Sequence, residues 1–102
     1  MISENNIKNE KPSDGLEEFV EEFFNDRLKE MKVLKEMIDH KKLSDIKSLA
    51  HRWKGFCKPY GFNLLGDLSI NLEKAAISKD FESCHVIFEQ MCSYLNIKKS
   101  FL

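Results

Sequence analysis

The chain has 102 residues, which is enough for one small domain and too few to bury two separate hydrophobic cores. Hydrophobic residues make up 42% and charged residues 32%, so the composition does not favour a disordered chain. The formal net charge of -1 argues against a protein that binds polyanions over its whole surface. With four glycines, two prolines and no two-residue hydrophobic alternation, the sequence predicts an all-helical (all-α) domain.

The predicted elements begin after a polar N-terminal segment, residues 1–13, which we expect to be a disordered or weakly helical, flexible tail. Residues 14–102 form the predicted domain. Its first helix spans about residues 15–39, where apolar side chains recur at three- and four-residue steps. Asp14 and Glu17 resemble a capping box, which predicts that this helix begins directly after them.

Three shorter helices follow the first. The second is predicted to begin at Ser44, a good N-cap, and to end shortly before Gly61, which suits the left-handed conformation that closes many helices. The third covers about residues 62–77, and the fourth covers about residues 81–99 with Asp80 as its N-cap. Four amphipathic helices with short connections predict an antiparallel up-down-up-down four-helix bundle.

Charge is distributed unevenly along the chain. Residues 1–40 carry eleven acidic and six basic side chains, whereas residues 41–60 carry six basic side chains and one acidic. A basic segment within an otherwise acidic chain favours a partner with local negative charge. The overall acidity, and the absence of aromatic residues interleaved with these lysines on the outer face, argue against nucleic acid as that partner.

His51 lies in the middle of the basic segment. On a helical wheel it points about 130° away from the centre of the apolar face of the second helix, so its ring should meet solvent. Its neighbours at three, four and seven positions along the helix are Ser44, Lys47, Lys54, Gly55 and Lys58. Nearby lysines favour a neutral imidazole, whose lone pair can attack phosphorus, and they would stabilise a phosphoryl group on the ring.

Gly55 follows His51 by one helical turn and removes the side chain that would lie beside the ring. Glycine in a helix interior costs about 1 kcal/mol relative to alanine. We therefore interpret Gly55 as a position where the helix gives up stability so that a bulky phosphoryl donor, such as another protein's active site, can approach. Pro59 crowds the carbonyl of Gly55, which predicts that the helix bends or ends nearby.

Two stretches of the sequence resemble a known family. They are A-H-x-x-K-G at positions 50–55, with Gly61 ten residues after the histidine, and LEKAAISKDF at positions 72–81. Together with the order of the four predicted helices, they resemble the histidine-containing phosphotransfer (HPt) domain of two-component phosphorelays. The resemblance covers about residues 14–100.

The resemblance implies that His51 accepts a phosphoryl group from the phospho-aspartate of a receiver domain and passes it to another receiver. It implies a phosphocarrier rather than an enzyme, with Lys54 on the phosphoryl oxygens and Gly55 admitting the receiver. The receiver, possibly part of a hybrid histidine kinase, would supply the catalytic aspartates and Mg²⁺, so we expect no cofactor or metal on this chain. From their charge and their position around His51, we add four partner-binding residues: Lys47, Arg52, Lys58 and Ser44.

Two alternatives stay open at this point. One is a receiver-binding adaptor or phosphate sink with little onward transfer, and the other is an unrelated helical interaction protein. The sequence departs from the family pattern at Phe56 and Pro59, which can narrow the choice of receiver. We interpret His40 and His85 as structural residues, because neither has other metal-ligating residues at a suitable spacing.

The cysteine pattern and the hydropathy of the chain predict its compartment. Cys57, Cys84 and Cys92 are odd in number and fit no zinc-site spacing, so we expect reduced, buried thiols. The sequence contains no signal-peptide pattern and no apolar run long enough to cross a membrane. We therefore expect a cytoplasmic monomer that does not bind membranes.

Overall fold

Apolar side chains at helical spacing form five α-helices in the computed structural model, which describes residues 2–102. The helices are α1 (Glu4–Lys8), α2 (Val20–Asp39), α3 (Leu43–Phe56), α4 (Asn63–Ile77) and α5 (Phe81–Lys99). A single 3-10 turn, Glu17–Phe19, precedes α2. The described residues form no strand, so the prediction of an all-helical domain is confirmed. None of these helices is both long enough and apolar enough to span a bilayer.

The four long helices share one hydrophobic core. α3 packs against α4, α4 packs against α5, and α2 contacts both α3 and α5. Each helix contributes side chains that are fully removed from solvent, among them Leu34, Trp53, Leu72 and Met91. The buried Trp53 fixes the rotation of α3, because its indole N–H also donates to Glu30 Oε1 on α2 at 3.1 Å. The opposite face of α3 is therefore turned to solvent.

The N-terminal segment lies against the bundle, which differs from the flexible tail that the sequence predicts. α1 packs on α5, and Ile7 is 1% exposed. Glu10 is also buried, and the Ser13 N–H donates to the Pro59 carbonyl at 2.8 Å. The polar composition of residues 1–13 does not predict this packing, which depends on the Ile7 and Glu10 side chains and on backbone contacts of residues 11–13.

The helix ends agree with the sequence at two predicted positions and differ at two others. Asp80 caps α5, since its Oδ1 accepts from the Ser83 N–H at 3.0 Å. Gly61 has φ = 84°, the left-handed conformation predicted for it. By contrast, α2 begins only after a 3-10 turn rather than directly after the proposed capping box, and α3 begins at Leu43. Ser44 therefore lies inside the first turn of α3 and is not its N-cap.

The turn between α3 and α4 depends on Gly61 for a second reason. A Cβ atom at this position would lie 2.6 Å from the Pro12 backbone nitrogen and 2.7 Å from the Lys11 carbonyl carbon. The N-terminal segment thus passes directly over the glycine. α3 itself ends at Phe56, ahead of Pro59, as expected for a residue that cannot continue a helix.

Candidate functional site

His51 lies in the middle of α3 on the face turned away from the core. Its side chain is 67% exposed, as the helical wheel predicts. Ala50 and Trp53 lie on the opposite, core-facing side of α3 and are fully buried. Because these two core residues fix the rotation of α3, the imidazole has little freedom to turn inward.

Sequence reasoning missed Glu73, the residue that contacts His51 most closely. Glu73 lies on α4, and its Oε2 is 2.8 Å from His51 Nδ1. Its other oxygen, Oε1, accepts from Lys54 Nζ at 2.6 Å. The side chain is only 12% exposed, so this carboxylate bridges His51 and Lys54 at the junction of α3 and α4. Glu73 belongs to the stretch at positions 72–81, but no local pattern shows that it faces His51.

The hydrogen bond to Glu73 indicates which ring nitrogen of a neutral His51 carries the proton. An ionised carboxylate can only accept, so the proton of a neutral imidazole lies on Nδ1 and points to Glu73 Oε2. Nε2 then keeps its lone pair, and this tautomer follows from the hydrogen-bond network. The ring is therefore not surrounded only by positive charge and small side chains, as the sequence suggests, because the Glu73 carboxylate lies between His51 and Lys54.

The bridge also changes the titration of Glu73. The hydrogen bond from Lys54, followed by the one with His51, holds the pKa of the Glu73 carboxyl below its ordinary value of 4.5. Glu73 is therefore ionised at neutral pH and keeps the negative charge that orients both partners.

We expect the Glu73→Gln variant to unfold at a lower temperature than the wild type at pH 7, and the difference to shrink in acid. A lowered pKa in the folded state gives stability that is complete above the ordinary pKa and is lost as the pH falls through the lowered value. Thermal unfolding followed by circular dichroism between pH 7 and pH 3 measures the difference. Glu36→Gln, on the exposed face of α2, is the matched control. A Glu73→Gln difference that stays constant over this range would refute the assignment.

Gly55 leaves one side of the imidazole open. A Cβ atom at Gly55 would meet no atom outside its own helix backbone within 4 Å. Helical side chains point toward the N-terminus, so a side chain at this position would lie over the turn that carries His51. Nothing within residues 2–102 therefore fills the space that Gly55 leaves.

Phe56 does not cover His51. Its ring lies edge-on to Phe23, with ring centroids 5.6 Å apart, and 4.8 Å from the Arg27 guanidinium carbon. Both contacts are with α2, whereas His51 contacts α4. The two rings therefore lie on opposite sides of α3.

Lys47 and Arg52 lie beside His51. They border a shallow cavity of about 420 Å³ whose lining residues are Lys47, Ser48, His51, Arg52 and Glu73. Arg52 Nη2 is 3.6 Å from Glu30 Oε2, a loose ion pair on an exposed side chain. Lys47 forms no ion pair with any residue of the described part of the chain.

The other two residues assigned to partner binding lie farther from the ring. Lys58 follows the end of α3, and its Nζ is 3.5 Å from Asp67 Oδ1 on α4. Ser44 is exposed in the first turn of α3, seven residues and thus about 10 Å along the helix from His51. The structure therefore does not bring Lys58 or Ser44 to the imidazole.

The thiols lie away from this surface. Cys57 and Cys84 are buried as predicted, whereas Cys92 is exposed. Burial raises the pKa of the Cys57 thiol to about 12, so this thiol stays protonated and unreactive at neutral pH. Within residues 2–102, no group of three or more acidic, cysteine or histidine side chains is placed to hold a metal ion.

Comparisons of this chain with protein-family models, with curated proteins and with solved structures gave no match.

Proposed function

We propose that the chain is a phosphorelay intermediate in which His51 accepts a phosphoryl group from a receiver-domain phospho-aspartate and passes it to another receiver aspartate. The observation that carries this proposal is an exposed imidazole whose Nδ1 is held by Glu73, so that Nε2 is free. An exposed nucleophile oriented by a second group is the arrangement that phosphoryl transfer between proteins requires.

The transfer step follows from this geometry. The Nε2 lone pair forms the N–P bond as the O–P bond to the receiver aspartate breaks, and that bonding pair stays on the aspartate carboxylate. The Nδ1 proton stays on the ring, which gains positive charge as the N–P bond forms. The Glu73 carboxylate, 2.8 Å from Nδ1, stabilises this charge.

The proposed fold is the antiparallel up-down-up-down four-helix bundle of an HPt domain, formed by α2 to α5 within residues 14–102. The connections support this arrangement: α2 to α3 and α4 to α5 are each joined through three residues, which suits antiparallel neighbours. α1 is an addition that packs on α5.

In the proposed reaction, the partner receiver carries out most of the catalysis. The receiver, possibly that of a hybrid histidine kinase, supplies the catalytic aspartates and Mg²⁺, and this chain supplies a positioned imidazole and nearby cations. We accordingly propose a phosphocarrier rather than an enzyme, acting as a cytoplasmic monomer without a cofactor of its own. The basic segment around His51 favours the acidic pocket of a receiver as its partner.

A transfer assay tests the function. The chain is incubated with each phosphorylated receiver domain of the source organism, and labelled protein is separated and treated with acid or alkali. We expect label that is lost in acid and kept in alkali, as for a phosphohistidine. Receiver binding without label would favour the adaptor, and neither binding nor label would favour an unrelated interaction protein.

Replacement of Gly55 by alanine is expected to stabilise the fold and slow the transfer. The free energy of unfolding should rise by about 0.5–1 kcal/mol, because alanine is the better helix former and its Cβ meets nothing within 4 Å beyond its chain neighbours and its own helix backbone. Transfer should slow because the new methyl group lies on the approach to His51, and Gly55→Gln should slow it further. Chemical denaturation and single-turnover transfer measure the two effects.

Gly66→Ala is the matched control for this pair of effects. Gly66 is also a helical glycine, and a Cβ there would make only ordinary contacts of 3.5 Å and 3.6 Å with Lys58 and Cys57. It should leave transfer unchanged. If Gly55→Gln transferred as fast as the wild type, the proposed role of Gly55 in access would be wrong.

A further inference from the structure

The cations around His51 fall into two sets that differ in what they contact. Lys54 pairs with Glu73, and the 2.6 Å distance between Lys54 Nζ and Glu73 Oε1 is the shortest ion pair of the site. The same carboxylate holds His51 through Oε2. If Lys54 moved to a phosphoryl group, the nearly buried Glu73 would lose its only lysine partner in the described structure, which carries a desolvation cost.

The second set consists of Lys47 and Arg52, which border the cavity beside His51. Lys54 is not among the residues that line this cavity. Because helical side chains point toward the N-terminus, the imidazole lies over the turn that contains Lys47 and Ser48. Ser48 has a short side chain, so the space next to the ring is open, and its hydroxyl can donate a hydrogen bond into that space.

Neither cation of the second set has a strong competing partner. Lys47 has no ion pair among residues 2–102, and Arg52 has only the 3.6 Å contact with Glu30, whose Oε1 already accepts from Arg27 at 2.6 Å. A guanidinium can bind two oxygens of a phosphoryl group through parallel N–H donors, and an ammonium supplies a compact positive charge. Both side chains can therefore turn toward a new anion without losing a strong ion pair.

We propose that Lys47 and Arg52, assisted by the Ser48 hydroxyl, bind the phosphoryl oxygens carried on His51 Nε2, and that Lys54 is a positioning residue that acts through Glu73. This inference rests on the proposed function and identifies which cations meet the transferred group. Lys47 and Arg52 stabilise the charge on the equatorial oxygens while the N–P bond forms and the aspartyl O–P bond breaks. Lys54 and Glu73 together fix the ring and its tautomer.

Single-turnover transfer from a phosphorylated receiver that labels the wild type tests the inference. The variants are Lys47→Ala, Arg52→Ala, the double variant, Lys54→Ala and the matched control Lys35→Ala, which removes an exposed lysine of α2 that pairs with Asp39 instead. The rate constant is measured at saturating receiver, so that weaker attraction of the receiver appears in the half-saturation concentration and not in the rate constant. The measurements are repeated between pH 6 and pH 9.

We expect the double variant to lose on the order of 100-fold in the rate constant at every pH, the scale for removing transition-state donors. Lys47→Arg should recover most of the Lys47→Ala loss, and Lys35→Ala should match the wild type. Lys54→Ala should shift the pH profile of transfer, because it removes a positive charge beside the hydrogen-bonded pair of His51 and Glu73.

Three results would overturn the inference, and the failure of the proposed function is distinguishable from the other two. If the wild type is labelled but the double variant keeps the rate constant of Lys35→Ala, the phosphoryl contacts are misassigned while the proposed function stands. The phosphoryl contacts are also misassigned if Lys54→Ala is the only variant that lowers the rate constant and its pH profile is unchanged. If no receiver labels the wild type, the proposed function fails and this inference fails with it.

Discussion

Replacement of His51 by glutamine is expected to abolish phosphoryl acceptance completely and to leave the fold intact. The glutamine amide can still donate a hydrogen bond to Glu73, but it has no nucleophilic nitrogen to form an N–P bond. The wild-type ring is 67% exposed, so little packing is lost and the free energy of unfolding should change by less than about 0.5 kcal/mol. Labelling by a phosphorylated receiver and chemical denaturation measure the two outcomes.

His85→Gln is the matched control for this experiment, because His85 is also an exposed helical histidine and lies on α5. It should take up label as the wild type does. Acid-labile label on the His51→Gln variant would mean that another residue is the acceptor. Receiver binding that survives in this variant is expected, since the docking surface is unchanged.

Replacement of Glu10 by alanine is expected to cause the largest loss of stability, about 3–5 kcal/mol, because it leaves a buried ammonium without its counter-charge. Lys98 is 4% exposed, and its Nζ is 3.0 Å from Glu10 Oε1. The same carboxylate accepts from the Tyr94 hydroxyl at 2.6 Å and from the Leu64 N–H at 2.8 Å. Without Glu10, the Gly61 carbonyl, at 2.7 Å, is the only hydrogen-bond partner left to Lys98 Nζ among residues 2–102.

Chemical denaturation measures this loss, with two comparisons. Glu4→Ala changes an exposed acidic residue of α1 and should stay within about 0.5 kcal/mol of the wild type. The double variant Glu10→Ala/Lys98→Met removes both charges and should recover part of the stability, since apolar replacement of a buried pair is tolerated better than its disruption. A Glu10→Ala variant as stable as Glu4→Ala would show that the N-terminal segment does not hold the bundle.

The buried cluster formed by Glu10, Tyr94 and Lys98 also affects the candidate site. It holds residues 10–13 over Gly61, in the turn that leads from α3 into α4. The hydrogen bond between His51 and Glu73 spans these same two helices. Loss of the cluster should therefore lower the global stability. It should also weaken the hydrogen bond between His51 and Glu73, because α3 and α4 would no longer be held in the same relative position.

The features predicted correctly from the sequence are those that depend on neighbours along the chain. Apolar spacing gave the four long helices, and the exposed position of His51 follows from the same spacing. Asp80 and Gly61 carry the short-range preferences of helix caps and left-handed turns. Each of these features is decided by residues within one or two turns of each other.

The features that sequence reasoning missed depend on contacts between distant segments. Glu73 is 22 residues from His51, and Glu10 is 88 residues from Lys98. Neither partner can be named until the helices are packed, because an acidic residue on a helix face is more often solvated than paired. The prediction that Ser44 is the N-cap of α3 was wrong for a related reason. The backbone of the α2–α3 connection, and not the serine side chain, determines where α3 begins.

The most direct test of the central claim is the identity of the ring nitrogen that carries the phosphoryl group. Nitrogen–phosphorus correlation spectra of the receiver-labelled, ¹⁵N-histidine protein distinguish the two ring positions. The account predicts a single phosphohistidine, bonded through Nε2 of His51, with Nδ1 still protonated toward Glu73. A phosphoryl group on Nδ1, or on any residue other than His51, would contradict it.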